Sequence, residues 1–253
     1  MRVNMPHKTA FACALRKRKA QKKIICFMLS LAGIKERGSS MSKPTLLITA
    51  FDPFGGEKQN ASEACLQKLP DKLRSAHSER LFRLKKTVLP TAYKAASESL
   101  LKLFSEAEEP YAAIIHLGQA GGAAAVRLER IAVNLDDAAL PDNAGETAED
   151  RIIRENGPAA YFSTLPVKKM RDSLLKAGIP AVVSNSPGTF LCKHVPYERL
   201  YCCARHDALS TAPSGFVHLP LLPEQAARQK QEASMAADLS ARAVEILISR
   251  SDL

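Results

Sequence analysis

Cys192 lies in the stretch SNSPGTFLCKHVPY, residues 184–197, just after a Gly-Thr pair and two positions before a histidine. A cysteine there can be a nucleophile, a metal ligand or an inert core side chain. A nucleophilic thiol needs a base within hydrogen-bond reach and a group that orients that base. His194 lies two positions along the same expected helix and points away, because neighbours on a helix face are three or four apart, so it reads as surface or packing. His218 is better placed, near the C-terminal end of the apolar run GFVHLP, where Pro220 ends the ladder. Glu129, in the alternating run VRLERIAVN, is a carboxylate in an apolar strand context. Arg127 and Arg130 beside it leave open an ordinary ion-paired surface carboxylate. For a metal the cluster to consider is Cys192, His194, Cys202 and Cys203. Vicinal cysteines on a helix diverge by about a hundred degrees and no second pair has ligand spacing, so no metal and no cofactor is expected. The glycines of FDPFGG and GQAGG match no nucleotide-binding fingerprint, and suit close backbone approach to a small ligand or tight turns after strands.

These residues need a frame. TLLITAF is a continuous apolar run closed by DPFGG, which suits a buried strand and turn. Asn60 and Ser62 offer N-cap chemistry for a helix through Leu69, stopped by Pro70. LFRLKKTVL alternates as a strand, TAYKAASESLLKLF is helical with Tyr93, Ala96, Leu100 and Leu103 on one face, and YAAIIHLG is a buried strand. A single strand is expected over VRLERIAVN, a loop through LPDNAGE, a helix over 166–177 closed by Gly178, a strand at IPAVVSN, a helix from FLCKH onward, a strand at GFVHLP and one long helix over 224–250. Strands separated by helices argue for a three-layer α/β/α sandwich with a mainly parallel, mixed sheet and functional residues at strand ends. Cys192 then sits in the first turn of a helix, where amide donors and the dipole favour a thiolate.

The chain has 253 residues, 46% hydrophobic, and a formal net charge of +10. Residues 1–40 hold ten Lys or Arg against one acid, Glu36, leaving 26 basic and 25 acidic groups over residues 41–253. The near-neutral remainder removes the main support for a nucleic-acid partner. Within the extension, a basic run precedes eleven mostly apolar residues, Ile24 to Ile34, the outline of a secretory signal that is too short for an ordinary membrane span and has no clean cleavage site. The preferred reading is a leader upstream of a true start at Met41, with a signal or a basic tail as alternatives, and residues 41–253 as a single domain. None of the six cysteines forms a C-x-x-C pair, which points to a reducing compartment.

The blocks FDPFGG with Asn60, LPT at residues 89–91, GQAGG, ERIAVNLDDA, LPDNAGE, GPAAYFSTLPVK, AGIPAVVSNSPGTFLCKH and GFVHLPLLPEQ, in that order, resemble the cysteine-dependent type I pyroglutamyl peptidases from Met41 to the C-terminus. The resemblance implies a phosphorylase- or hydrolase-like fold and removal of N-terminal 5-oxoproline from peptides, with Cys192 as nucleophile, His218 as base and Glu129 as its orienting group. It implies an apolar slot walled by Phe51 and Phe54 and closed by Phe190, Leu191, Thr91 and Leu140. Gln119 and Asn60 would read the lactam and the substrate backbone. It further implies cytoplasmic location, no nucleic-acid or membrane partner, and a homo-oligomer, dimer or tetramer, as in many relatives. Two family arginines are replaced here by Ala139 and Ala123, the first considered a helper of the oxyanion. Lys193 stands where the family has asparagine, and Pro196 removes an amide that would bond the Cys192 carbonyl, so a kinked catalytic helix is expected. The alternative function is a catalytically weakened pyroglutamyl-binding homologue.

Overall fold

Three apolar runs, Leu46 to Phe51, Ala113 to Leu117 and Phe216 to Leu219, form the centre of the sheet, and side chains on both of its faces are buried. The computed structural model describes residues 43–205, 212–230 and 233–250. The expectations for residues 1–40 lie outside them. In chain order the strands are β1 (Thr45–Phe51), β2 (Lys72–Arg74), β3 (Leu81–Leu89), β4 (Ala113–Ala120), β5 (Val126–Glu129), β6 (Ile131–Val133), β7 (Asp136–Ala138), β8 (Ala148–Arg151), β9 (Ala160–Phe162), β10 (Ala181–Ser184) and β11 (Ser214–Pro220). The helices are α1 (Ala61–Lys68), α2 (Tyr93–Ser105), α3 (Val167–Lys176), α4 (Leu191–Cys203), α5 (Pro223–Arg228) and α6 (Ala237–Ser249).

Seven strands make one sheet in the order β10-β5-β11-β4-β1-β3-β2. Neighbours are parallel except for β5 with β11 and β2 with β3. The period-two alternation sends Leu46, Ile48, Ile115, Leu117, Val217 and Leu219 into a core with Leu66, Met170, Leu174, Val244 and Leu247, on the side of α1, α3 and α6. Leu47, Phe51, Ile114 and Phe216 face the other way, against Tyr93, Leu100, Leu191 and Val195 of α2 and α4. The result is the expected three-layer sandwich with a mixed sheet.

Two expected elements differ. VRLERIAVN is broken at Arg130, whose amide donates to the Ser184 carbonyl at 2.8 Å and whose carbonyl accepts from Ser163 at 2.8 Å. These bonds end β5 in the main sheet, and β6 leaves to pair with β9. The run 224–250 forms two helices, not one. Lys230 has φ +52°, a left-handed conformation that a right-handed helix cannot carry, and beyond it the Met235 amide returns to the Leu221 carbonyl at 2.8 Å with Met235 buried. Pro196 lies inside α4, which is helical from Leu191 through Cys203. The proline removes one backbone donor without ending the helix.

Candidate active site

The antiparallel pairing of β5 with β11 sets Phe216 opposite Glu129 and His218 opposite Arg127. Side chains two apart share a face, so Glu129 and His218 are diagonal neighbours on one side of the sheet. His218 Nδ1 lies 2.8 Å from Glu129 Oε1, with both side chains almost wholly buried. On its other flank His218 is registered with Gly118 of β4. Gly118 is where the Cys192 thiol fits, because a Cβ there would stand 3.0 Å from Cys192 Sγ and 2.6 Å from the Phe216 ring. The absent side chain lets the thiol of α4 sit over the strand beside the imidazole, within hydrogen-bonding reach of it. Burial opposes a charged imidazole, but the facing Cys192 and then Glu129 outweigh it and raise His218 to about 9. No side chain caps α4, whose N-cap residue is Phe190. The Lys193 and His194 amides return to the Phe190 carbonyl at 3.0 and 3.5 Å, so the first-turn amides left to meet a ligand are those of Leu191 and Cys192.

Near this triad Phe54 packs on Phe190 with centroids 5.5 Å apart, and Tyr93 meets the same ring edge-on at 5.8 Å. Phe51 and Leu191 are buried in the core, Phe51 lying 6.3 Å from Phe216. Leu140 is 58% exposed, at the rim. Thr91 is buried, donating its amide to Asp52 Oδ1 (2.6 Å) and its hydroxyl to the Asp52 carbonyl (2.9 Å). Asn60 caps α1 by accepting from the Ser62 amide at 2.9 Å, and its amide donates to the Asp52 carbonyl at 3.0 Å. Gln119 Oε1 accepts from the Ala61 amide (2.9 Å) and Gln225 Nε2 (3.1 Å), leaving Nε2 as the end that can meet a ligand. Cys202 and Cys203 lie at the far end of α4 from Cys192. Among the described residues no group of three His, Cys, Asp or Glu is arranged to hold a metal ion.

The sequence pattern of the family described as pyroglutamyl peptidase matches residues 44–251. The chain belongs to the pyroglutamyl peptidase family. The pyrrolidone-carboxylate peptidase of Thermosipho africanus is 40% identical over 193 residues, 76% of this chain and 89% of that protein. That of Streptococcus suis is 40% identical over 203 residues, 80% and 90% of the two chains. In three dimensions the fold is similar to pyroglutamyl peptidase I of Bacillus amyloliquefaciens, with TM-score 0.75 and 33% identity over 83% of this chain and 97% of that one. It is also similar to a mutant pyrrolidone carboxyl peptidase from Pyrococcus furiosus, with TM-score 0.74 and 37% identity over 82% and 97%.

In this member of the pyroglutamyl peptidase family a second histidine–carboxylate pair lies beside the first, and sequence spacing did not reveal it. His194, expected at the surface or in packing, bonds through Nδ1 to Asp136 Oδ2 and through Nε2 to Ser97 Oγ, both at 2.8 Å. Asp136 also accepts from Arg151 at 3.2 Å, and the Arg151 guanidinium lies over the Tyr93 ring. The Asp137 amide donates to the Thr189 carbonyl at 2.9 Å, tying β7 to the loop before Cys192. Lys193, between Cys192 and His194, is fully buried, and its Nζ has no hydrogen-bond partner among the described residues. Burial lowers it from 10.5 to about 8, against the opposing pull of Asp136 and Asp137. Ala139 is exposed just beyond β7, whereas Ala123 is fully buried at the turn after β4.

Proposed function

We propose that this protein is a cysteine peptidase that hydrolyses the N-terminal pyroglutamyl residue from peptides. The observation that carries the reading is the alignment of Glu129, His218 and Cys192 across β5, β11 and the first turn of α4. The Cys192 thiolate attacks the pyroglutamyl carbonyl carbon, and the oxyanion is met by the amides of that first turn. His218, protonated in the ion pair, gives its proton to the departing amine. The neutral ring then takes a proton from water, which attacks the thioester, releases pyroglutamic acid and restores the Cys192 thiolate beside the protonated His218. Glu129 holds the Nδ1–H tautomer and supports the imidazolium.

The substrate ring is small, neutral and flat-faced. Phe54 and Phe190 wall its slot, with Thr91 and Leu140 at the edges and Phe51 and Leu191 packed below. Gln119 Nε2 donates to the lactam carbonyl, and Asn60 shapes the loop that carries Phe54. Proline has no lactam carbonyl and would leave that donor unpaired, which is the basis of its rejection. Residues 41–253 form the catalytic unit, residues 1–40 an extension without a part in it, and the working enzyme is cytoplasmic and a homo-oligomer. Among the described residues no helix is long and apolar enough to cross a membrane.

The test is the rate on a pyroglutamyl chromogenic amide before and after iodoacetamide, for wild type and Cys192→Ala. Hydrolysis should vanish in the variant and after alkylation, with the circular dichroism spectrum unchanged. Thiol-independent hydrolysis would overturn the assignment.

A further inference from the structure

The strand order lays the proposed site out in one direction across the sheet. Phe54 follows β1 and Tyr93 follows β3, so the aromatic slot they form with Phe190 stands on that flank. The Cys192 thiol lies over Gly118 of β4, and the imidazole is on the next strand, β11. The strand after that is β5, where Arg127 is registered directly opposite His218. Val126 and Leu128 point into the core on the other side of the sheet, so Arg127 shares the face of His218 and Glu129. The two backbones are about 5 Å apart there. Arg127 is partly exposed, and among the described residues its guanidinium has no hydrogen-bond or ion-pair partner. The segments leading into β5 and its neighbour β10, residues 121–125 and 178–180, carry no acidic side chain, and neither do residues 185–190 between β10 and α4.

With the acyl ring in the slot on the β1 side, the scissile bond lies between the thiol and the imidazole that protonates the departing amine. The departing chain therefore leaves past His218 and over β5. An extended chain advances about 3.3–3.6 Å per residue, so a group one residue beyond the scissile bond comes within reach of the guanidinium, whose fork of donors matches a carboxylate. We propose that Arg127 binds a carboxylate on the departing part of the substrate, either an acidic side chain next to the pyroglutamyl group or the terminal carboxylate of a pyroglutamyl dipeptide. Arg127 is thereby a specificity residue that favours acidic leaving groups. The inference rests on the assignment of the triad and the slot to pyroglutamyl hydrolysis.

The experiment measures kcat/KM at pH 7 by release of pyroglutamate, for wild type, Arg127→Gln and Arg127→Glu. The substrates are pyroglutamyl-glutamyl-alanine amide, its glutaminyl and lysyl counterparts, and pyroglutamyl-alanine as free acid and as amide. At low salt wild type should cleave the glutamyl peptide about fivefold better than the glutaminyl one, and the free dipeptide better than its amide by a similar factor. Both preferences should fade toward unity at about 0.5 M salt. A preference in one pair alone assigns the carboxylate to that source. Arg127→Gln should bring the ratios to about one, and Arg127→Glu should favour the lysyl peptide; if the latter does not fold, Arg127→Gln and the salt dependence decide. Wild-type ratios near one in both pairs, or a preference that survives in Arg127→Gln, would overturn the proposal. So would an equal loss of kcat on every peptide with the ratios unchanged, which would assign the guanidinium to the oxyanion. Failure of the underlying reading is seen separately, as release that persists in Cys192→Ala, and absence of release from every peptide would overturn both.

Discussion

Replacing Lys193 by Met should make the protein more stable at neutral pH, although the lysine stands next to the nucleophile. Its ammonium is fully buried without a hydrogen-bond partner among the described residues, and it occupies the first turn of α4, where the helix dipole disfavours a cation. The fall from 10.5 to about 8 corresponds to about 3 kcal/mol against the charged form. Between those two values the unfolded chain holds the proton more tightly than the folded one. Stability therefore rises with pH across this window, and the whole penalty is present below pH 8. Methionine keeps much of the aliphatic stem and removes the charge, so a gain of about 1–3 kcal/mol is expected at pH 7. The assay is urea unfolding of wild type and Lys193→Met at pH 7, 8, 9 and 10, compared as a difference so that groups common to both cancel. The advantage of the variant should be nearly constant from pH 7 to 8 and shrink from there to pH 10. A variant less stable than wild type at pH 7, or a difference that does not vary with pH, would refute the reasoning. The first result would show that Asp136 and Asp137 hold the ammonium as a net stabilising partner, the second that their pull cancels the cost of burial.

Glu129→Gln should keep the fold and a measurable rate, with kcat down about 10²- to 10⁴-fold, because the amide preserves part of the orientation but not the charge; steady-state kinetics beside Cys192→Ala, which should show none, check this. His116 is fully buried against Thr49 and held neutral, first by desolvation and then by Arg199, at about 3. Its contribution to stability is present above about pH 6.5 and is lost as pH falls toward 3, so urea midpoints of wild type should decline across that window and those of His116→Asn should decline less. Ala139→Arg should raise kcat more than it lowers KM if a guanidinium at this exposed position reaches the developing oxyanion, and a gain confined to KM would instead indicate ground-state binding. Ala139→Lys in the same assay tests whether planar two-point donation matters or charge alone.

The sheet was legible because its strands are apolar runs of the right length between turn residues. TLLITAF and LFRLKKTVL end where β1 and β3 end. The helices were legible from periodicity, as with Tyr93, Ala96, Leu100 and Leu103 on the buried face of α2. What failed was continuity. Nothing local marks Arg130 as the residue where the chain changes ladders, because the cause is long-range: the Ser184 carbonyl and the Ser163 amide take its two backbone groups. The small strands β7, β8 and β9, three or four residues each, are too short to announce themselves and exist by pairing with one another and with β6. Lys230 carried no glycine-like signal for its left-handed conformation, so 224–250 read as unbroken.

The triad residues stood out for a different reason: each is chemically out of place in its segment, a thiol at a helix start and two titratable groups in apolar strands. Asp136, Ser97 and Arg151 are ordinary in theirs, and the spacing of 58 residues between Asp136 and His194 carries no pattern. Their importance arises only once the 131–162 excursion folds over the start of α4, where one carboxylate meets His194 directly, faces Lys193 and orders Arg151. Glycines behave the same way. GQAGG suggested that a backbone must approach something closely, and Gly118 does so, its close partners being the Cys192 sulfur and the Phe216 ring. A residue type can advertise a need for space or charge; only the register of β4, β11 and β5 says what fills it.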